Sequence, residues 1–271
     1  MPVAAQAEPA ESSTPTRLAV PPDLFRSQFG EDRILWRLFG GRRDGFFIEV
    51  GAFDGVSLST TWFFEQMGWR GILIEPVAEL CAKCVAARPR SRVVHAAAGR
   101  RNAGRTIKLT HAVGKAFLSF TSTDAEHVER CRREGATLVE SEVALVTLTD
   151  VLNETRRGDF PCGSPWRDGR WAIDLVSIDT EGAELDVLDG FDLDRFRPMV
   201  VMVENDRPSG AAIEPYLAER GYARIHRQVI NDIYVRREFL PPGFEKPTEV
   251  TWGDWTAGQR GNASSSLAAA T

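Results

Sequence analysis

Acidic side chains and glycines cluster directly after the first strongly apolar run of the chain, FFIEV at 46–50. Gly51 and Gly55 let the backbone turn tightly at the carboxyl end of this predicted strand, where open α/β sheets bind their ligands. Glu49 and Asp54 place two carboxylates at the same turn. These carboxylates repel a pyrophosphate but attract a ligand that carries a sulfonium and an ammonium group. The turn therefore favours S-adenosylmethionine over NAD as the bound cofactor.

A further acid, Glu75, ends the next apolar run, GILIEP, about twenty residues beyond Gly55. In doubly wound sheets this position carries the carboxylate that binds the ribose of a nucleotide cofactor. The two glycines of the turn bracket residues 52–54 and do not form the dinucleotide pattern GxGxxG. An NAD-dependent oxidoreductase on a related fold and a non-catalytic module that binds S-adenosylmethionine are the alternative hypotheses.

Carboxylates also follow two later apolar runs of the chain. Asp179 and Glu181 come after DLVSI, and Glu204 ends VVMVE. The carboxyl ends of parallel strands meet at one edge of a sheet, so we expect these three acids to gather beside the cofactor turn. Such a cluster can bind the hydroxyls of an acceptor, act as a general base or hold a hard cation such as magnesium. No ligand spacing requires an ion, so we predict acceptor binding and base catalysis and assign no metal ligand.

Three other groups of residues carry less specific signals. Ser59 and Thr60 precede a predicted helix, where they either bind the methionine carboxylate of the cofactor or cap the helix. Cys81 and Cys84 form a CxxC pair without a second pair at zinc spacing, so we expect buried thiols. His95 is the one histidine whose position at a strand end could bring it to the pocket.

The combination of the acidic first turn with DTEGAE resembles the FkbM-type methyltransferase family, from about Ser27 to about Arg236. The resemblance implies a class I S-adenosylmethionine fold and methyl transfer, commonly to oxygen, on sugars, lipids or secondary metabolites. It also implies that the opening segment lies beside the cofactor pocket, where Gln28 reaches the methionine carboxylate or amine. Phe53 stands where a third glycine is often found in methyltransferases. The stretches that carry the resemblance are SQFGED (27–32), FIEVGAFDGVSLSTT (47–61), GWRGILIEP (68–76), IDLVSIDTEGAELDVLDGFD (173–192), VVMVEND (200–206) and GYARIHRQVINDIYV (221–235).

Apolar runs alternate with helical patterns along the chain, which predicts an α/β fold with a doubly wound, mostly parallel sheet. The resemblance implies that this sheet is the Rossmann-like one of class I methyltransferases. The last two predicted strands are too close for a parallel crossover and should form a hairpin, which places one antiparallel strand near the edge. The predicted strands cover 46–50, 71–75, 91–97, 144–148, 173–179, 199–204, 222–228 and 231–236, with short strands around 118–120. The predicted helices cover 28–39, 58–67, 77–88, 124–134, 149–156, 183–188 and 211–220.

Composition limits the domain organisation. We expect residues 1–22 to be a disordered leader, 23–240 the methyltransferase domain and 241–271 a C-terminal tail that is disordered from about 253. The chain has 271 residues, of which 43% are hydrophobic and 26% charged, as in ordinary globular domains. No role is predicted for the loop at 157–170.

Charge and cysteine usage limit the partners and the compartment. A net charge of −5 argues against a nucleic-acid surface, and no apolar run approaches the roughly 20 residues that span a bilayer. Four unevenly placed cysteines favour reduced thiols and a cytoplasmic location. The expected partner is a small-molecule or glycan acceptor, and the oligomeric state is not predicted.

Overall fold

The structure is a computed structural model that describes residues 21–113, 133, 137–155, 166–167, 170–240, 243–254 and 256. Its helices are α1 (Glu31–Leu38), α2 (Trp62–Gln66), α3 (Ala78–Ala87), α4 (Leu148–Glu154), α5 (Glu184–Asp189), α6 (Leu193–Phe196) and α7 (Ile213–Glu219). Its strands are β1 (Phe46–Val50), β2 (Arg70–Glu75), β3 (Arg92–His95), β4 (Ala97–Ala98), β5 (Thr106–Val113), β6 (Thr137–Val146), β7 (Trp166–Arg167), β8 (Arg170–Trp171), β9 (Leu175–Ile178), β10 (Val200–Glu204), β11 (Tyr222–Gln228), β12 (Asn231–Arg236) and β13 (Thr248–Val250). Short 3-10 helices cover Pro22–Leu24, Pro208–Ala212 and Arg237–Phe239.

The main sheet has eight strands in the order β13-β11-β12-β10-β9-β1-β2-β3. Strand β12 runs antiparallel to both of its neighbours, and every other pair in this sheet is parallel. The prediction of a mostly parallel α/β sheet with one antiparallel strand near the edge is confirmed. The edge strand β13 has no counterpart in the prediction and lies beyond residue 240, where the sequence places the start of a tail.

The central strands are mostly apolar because helices cover both faces of the sheet. Every residue of β1, β9 and β10 is buried. Successive side chains alternate between the faces, so Ile48 packs in one core cluster with residues of α4, α5 and α7. Its neighbour Phe47 packs on the other face with residues of α1, α2 and α3. This double burial fixes the carboxyl ends of the central strands, which carry the candidate site.

The middle of the chain differs from the prediction. A single strand is predicted over 91–97, whereas the structure divides it into β3 in the main sheet and β4 in a second sheet of order β4-β6-β5. Strand β6 begins at Thr137, not at residue 144, and pairs antiparallel with the eight-residue strand β5. The expected strand at 118–120 lies outside the described residues, as does the helix at 124–134 except for residue 133.

The structure describes little of the predicted leader and of the end of the predicted tail. The expected leader lies outside the described residues except for residues 21 and 22, and so does the end of the tail beyond residue 256. No helix within the described part of the chain has the length and apolar character needed to cross a membrane.

Candidate functional site

A cavity of about 410 Å³ opens at the carboxyl ends of β1, β2, β9 and β10. Its volume lies in the usual range for small-molecule sites. The site residues predicted from the sequence that line it are Gln28, Glu49, Gly51, Ser59, Thr60, Glu75, Asp179, Glu181 and Glu204. Asp54 and Gly55 are not among the described residues that line the cavity. The structure therefore brings most of the predicted site together at one edge of the sheet.

The described lining of this cavity is strongly acidic. It includes seven carboxyl groups and no lysine, arginine or histidine. Such a lining attracts a positively charged ligand and repels a diphosphate. The seven acids are Glu31, Glu49, Glu75, Asp179, Glu181, Glu204 and Asp206.

Gly51 has a left-handed backbone with φ +80°, and a Cβ atom at this position would lie 1.7 Å from the carbonyl oxygen of Asp179. The sequence assigns this glycine to a tight turn at the cofactor. The structure adds a second reason, because the end of strand β9 occupies the space that a side chain would need. Gly51 therefore holds two strand ends together beneath the cavity.

We expect Gly51→Ala to destabilise the protein far more than Gly221→Ala. Both glycines have φ near +80°, but a Cβ at Gly221 meets nothing within 4 Å. The control variant carries only the backbone strain of roughly 1–2 kcal/mol, whereas Gly51→Ala adds a collision with rigid backbone. Urea denaturation measures the free energies of unfolding. Equal losses in the two variants would contradict the close packing of β1 against β9.

Asp54 and Gly55 shape the turn after β1. The carboxylate of Asp54 accepts hydrogen bonds from the backbone amides of Val56 at 2.9 Å and Ser57 at 2.7 Å, and from the Ser57 hydroxyl at 2.7 Å. A Cβ at Gly55 would lie 3.1 Å from the Cα of Cys84 in α3. The structure thus gives both residues a role in the turn itself, although the sequence places them at the cofactor.

Glu49 is the centre of a buried polar network beside the cavity. It accepts hydrogen bonds from the hydroxyls of Ser59 at 2.9 Å and Thr61 at 2.7 Å, and from the amide of Thr60 at 3.1 Å. The guanidinium of Arg88, which is fully buried, lies 3.3 Å from the same carboxylate. Much of the negative charge of Glu49 is therefore compensated within the protein.

Of the two hydroxyl residues that the sequence places at a helix start, Ser59 both donates to Glu49 and accepts from amides at the start of the helix. Helix α2 begins at Trp62 and not at residue 58, and Ser59 Oγ accepts hydrogen bonds from the amides of Thr61 and Trp62. Leu58, just before it, has φ +59°, which is incompatible with a helix. Arg88 also binds Glu65 at 2.8 Å and so connects α2 to the end of α3. Sequence reasoning misses Arg88, because it lies 39 residues from Glu49.

Glu75 ends β2 and is buried, with only 4% of its surface exposed. One carboxylate oxygen accepts a hydrogen bond from the amide of Val77 at 2.8 Å, and the other accepts one from the amide of Phe53 at 2.9 Å. Burial raises the pKa of Glu75 to about 7, although both hydrogen bonds oppose the rise. Each oxygen retains a lone pair that can accept a hydrogen bond from a ligand hydroxyl.

The raised pKa of Glu75 makes folding stability depend on pH. Between the usual value of 4.5 and about 7, the folded protein binds the Glu75 proton more tightly than the unfolded chain does. The Glu75 contribution to the free energy of unfolding therefore falls by about 3 kcal/mol as the pH rises through this window. We expect the stability of the parent relative to Glu75→Gln to decline by that amount in urea titrations from about pH 4 to about pH 8. A constant difference would contradict the burial of this carboxyl.

The opening segment contributes a cavity residue that the sequence reasoning misses. Glu31 is 1% exposed and accepts hydrogen bonds from the amide of Phe29 at 2.9 Å and from the side chain of Asn231 at 2.6 Å. Burial raises the pKa of Glu31. Gln28 also lines the cavity, as the resemblance implies, and Gln228 fixes this segment through the carbonyl of Phe29 at 2.7 Å. The signal for Glu31 lies in SQFGED, from which the prediction takes only Gln28.

Asp179, Glu181 and Glu204 converge at the ends of β9 and β10. One carboxylate oxygen from each lies within 4.8 Å of those from the other two. Asp179 is open to the cavity but surrounded by protein, and Glu204 is only 6% exposed. Removal from water, followed by repulsion among the carboxylates, raises the pKa of both Asp179 and Glu204. Both carboxyl groups therefore hold a proton more tightly than an ordinary carboxyl group in water does.

The neighbours of this cluster hold it in place. Arg207 forms an ion pair with Glu181, whose φ of +56° is unusual for a residue other than glycine. One oxygen of Glu184 accepts hydrogen bonds from the Thr180 amide at 3.1 Å, the Thr180 hydroxyl at 3.0 Å and the Gly182 amide at 2.8 Å. Glu184 thus stabilises the turn before α5 and the start of this helix.

The remaining sequence signals lie outside the cavity. His95 is exposed, and its Nε2 lies 3.0 Å from the carbonyl oxygen of Pro76. Cys81 and Cys84 are free and buried. The thiol of Cys84 donates to the carbonyl of Phe53 at 3.1 Å, and burial raises the pKa of this thiol. The two cysteines therefore help to pack α3, as expected for buried thiols.

Comparison with known proteins identifies the family. The model of the methyltransferase FkbM domain matches residues 49–223. Methyltransferase sdnD from Sordaria araneosa is 40% identical over 87 residues, which make up 31% of this chain and 32% of the length of that protein. The solved structure of a putative RNA methyltransferase from Pyrococcus horikoshii aligns with 76% of this chain and 82% of its own at 11% identity and a TM-score of 0.37. Because the family model covers more than half of the residues, this chain belongs to the FkbM methyltransferase family.

Proposed function

We propose that this chain uses S-adenosylmethionine to methylate a hydroxyl oxygen on a small-molecule or glycan acceptor, such as a sugar, a lipid or a secondary metabolite. The observation that carries the proposal is the joint placement in one cavity of Glu75 and the Asp179–Glu204 pair. Glu75 suits a ribose, and the paired acids suit an acceptor hydroxyl.

The cavity wall offers groups that fit each part of the cofactor. Glu75 would hold the two ribose hydroxyls, and Leu80 and Ala97 offer an apolar wall for the adenine. Glu31 would pair with the ammonium group, and Gln28 would reach the methionine carboxylate. The excess of carboxyls over basic groups fits a cofactor whose sulfonium and ammonium outweigh its single carboxylate.

The chain's own residues have a limited task in this reaction. When bound, S-adenosylmethionine supplies a methyl group that is already activated, so positioning of the acceptor contributes most of the catalysis. A sugar or aliphatic hydroxyl becomes a good nucleophile as it loses its proton. The raised pKa values of Asp179 and Glu204 suit a carboxylate that takes this proton, since a carboxylate with the ordinary low pKa is a weaker base.

The charge of the cavity also bears on the acceptor. No basic side chain is found among the described lining residues, so nothing there compensates a phosphate or a carboxylate on the acceptor. A neutral polyol or an alcohol meets no such penalty. This supports a neutral hydroxyl compound as the acceptor.

Incubation with tritium-labelled S-adenosylmethionine and a panel of neutral glycosides, fatty alcohols, amines and thiols tests the proposal. We expect label in the hydroxyl compounds, with the new bond assigned to oxygen by NMR. The Asp186→Asn variant serves as a control, because Asp186 forms an exposed ion pair with Arg100 away from the cavity. Label found only on nitrogen or sulfur would contradict O-methylation.

A further inference from the structure

We propose that Asp179, Glu181 and Glu204 bind a divalent cation of the magnesium type. This inference rests on the proposed function, because the cation would hold the acceptor oxygen in the same cavity. A hydroxyl bound to such an ion loses its proton more readily, so the ion would share the activation of the acceptor hydroxyl with the carboxylates that hold it.

The spacing of the three carboxylates fits one shared ion. Their ligand oxygens lie within 4.8 Å of one another. Hard divalent cations bind oxygen at about 2.1–2.4 Å, so two oxygens on opposite sides of one ion lie roughly 4.2–4.8 Å apart. The three side chains come from two adjacent strand ends, which their buried strands hold in register.

A buried oxygen without a donor provides the second observation. Glu204 is 94% buried and lines the cavity, and its Oε2 receives no hydrogen bond from an N–H or hydroxyl group of the described residues. The carboxyl group of Asp179 is its neighbour in the cluster. The nearby Glu184, by contrast, has one oxygen that accepts three hydrogen bonds. A buried carboxylate oxygen without a partner is costly, and a cation would satisfy it.

The charge balance points to a divalent ion. When a cation displaces their protons, the three carboxylates carry a formal charge of −3, and the ion pair with Arg207 reduces it to −2. Asp206, 3.6 Å from the same guanidinium, adds further negative charge. One divalent cation brings the cluster close to neutrality.

The ligand type selects the class of ion. All three candidate ligands are carboxylate oxygens, with no histidine or cysteine in the cluster. Magnesium and manganese prefer such oxygen ligands, whereas zinc is usually bound by nitrogen and sulfur.

Manganese, as a paramagnetic probe, tests the site directly. Electron paramagnetic resonance counts free Mn²⁺ during titration of the protein saturated with S-adenosylhomocysteine. We expect one site in the parent protein, weakened about tenfold or more by Glu204→Gln and by Asp179→Asn. Glu140→Gln, which removes an exposed carboxylate paired with Lys108, should leave the affinity unchanged.

The outcomes separate the ion from the reaction. If the parent does not bind Mn²⁺, or if Glu204→Gln and Asp179→Asn bind it as tightly as the parent, the cation site is wrong and the acids share only a proton. Calorimetry with S-adenosylhomocysteine is run on the same samples. If the protein binds S-adenosylhomocysteine, the proposed function stands whatever the result with Mn²⁺. If the parent protein does not bind S-adenosylhomocysteine, the proposed function itself is contradicted. Thermal melting of each variant confirms that it is folded.

Discussion

Replacing Asp179 by asparagine or Glu204 by glutamine is expected to lower the turnover of methyl transfer by roughly 10²–10⁴ while the affinity for S-adenosylhomocysteine stays near normal. Both acids line the cavity at the ends of β9 and β10, where we propose that a carboxylate takes the proton of the acceptor hydroxyl or positions it through an ion. The amide side chains keep the size and the polarity but cannot act as a base. Initial rates and calorimetry measure the two quantities.

The variant Asp186→Asn is the matched control for Asp179→Asn and Glu204→Gln. Asp186→Asn in α5 removes a partly exposed carboxylate that does not line the cavity and should keep full turnover. Full activity in both Asp179→Asn and Glu204→Gln would show that these acids are structural. Equal losses of turnover and of cofactor affinity would place them at the cofactor instead.

Replacing Glu75 by alanine is expected to weaken the binding of S-adenosylhomocysteine by about 1.5–3 kcal/mol, the usual range for hydrogen bonds to a charged group. The affinity of the parent should also rise as the pH increases through about 7, because the ionised carboxylate accepts the ribose hydroxyls better than the acid does. Calorimetry over this pH range measures both effects.

Glu79→Ala is the control for Glu75→Ala, because Glu79 is exposed on the adjacent helix α3 and forms an ion pair with Lys83. Its loss should leave cofactor affinity unchanged. If Glu75→Ala bound S-adenosylhomocysteine as tightly as the parent, the ribose assignment would be wrong.

Much of the sheet can be predicted because short-range patterns determine it. The buried strands are visible in the sequence as apolar runs. An acid lies at or next to the carboxyl end of four of them: Glu49, Glu75, Asp179 and Glu204. Parallel strands bring such ends together at one edge. The hairpin of β11 and β12 likewise follows from the short connection between the strands.

Long-range contacts explain what the sequence does not reveal. The hydrogen bond between Glu31 and Asn231 joins residues 200 positions apart, and Gly51 is confined by the carbonyl of Asp179 on another strand. No local pattern contains these partners. They depend on the final order of the strands.

The hairpin of β5 and β6 is a different case. The stretch at 137–146 reads TLVESEVALV, in which charged and apolar side chains alternate in part. This pattern is typical of a strand with one exposed face, since Val143 is buried while Glu140 and Glu142 are exposed. The signal is present in the sequence, but its acids weaken the apolar character by which the other strands are predicted.

Calorimetric titration of the chain with S-adenosylmethionine, S-adenosylhomocysteine and NAD tests whether the acidic cavity binds S-adenosylmethionine. The cavity should bind both sulfur compounds, because its acidic lining attracts their ammonium group and Glu75 accepts their ribose hydroxyls. The same carboxylates repel the pyrophosphate of NAD, so no heat of binding is expected from it. If NAD bound and neither sulfur compound did, the assignment of the cavity to S-adenosylmethionine would be wrong.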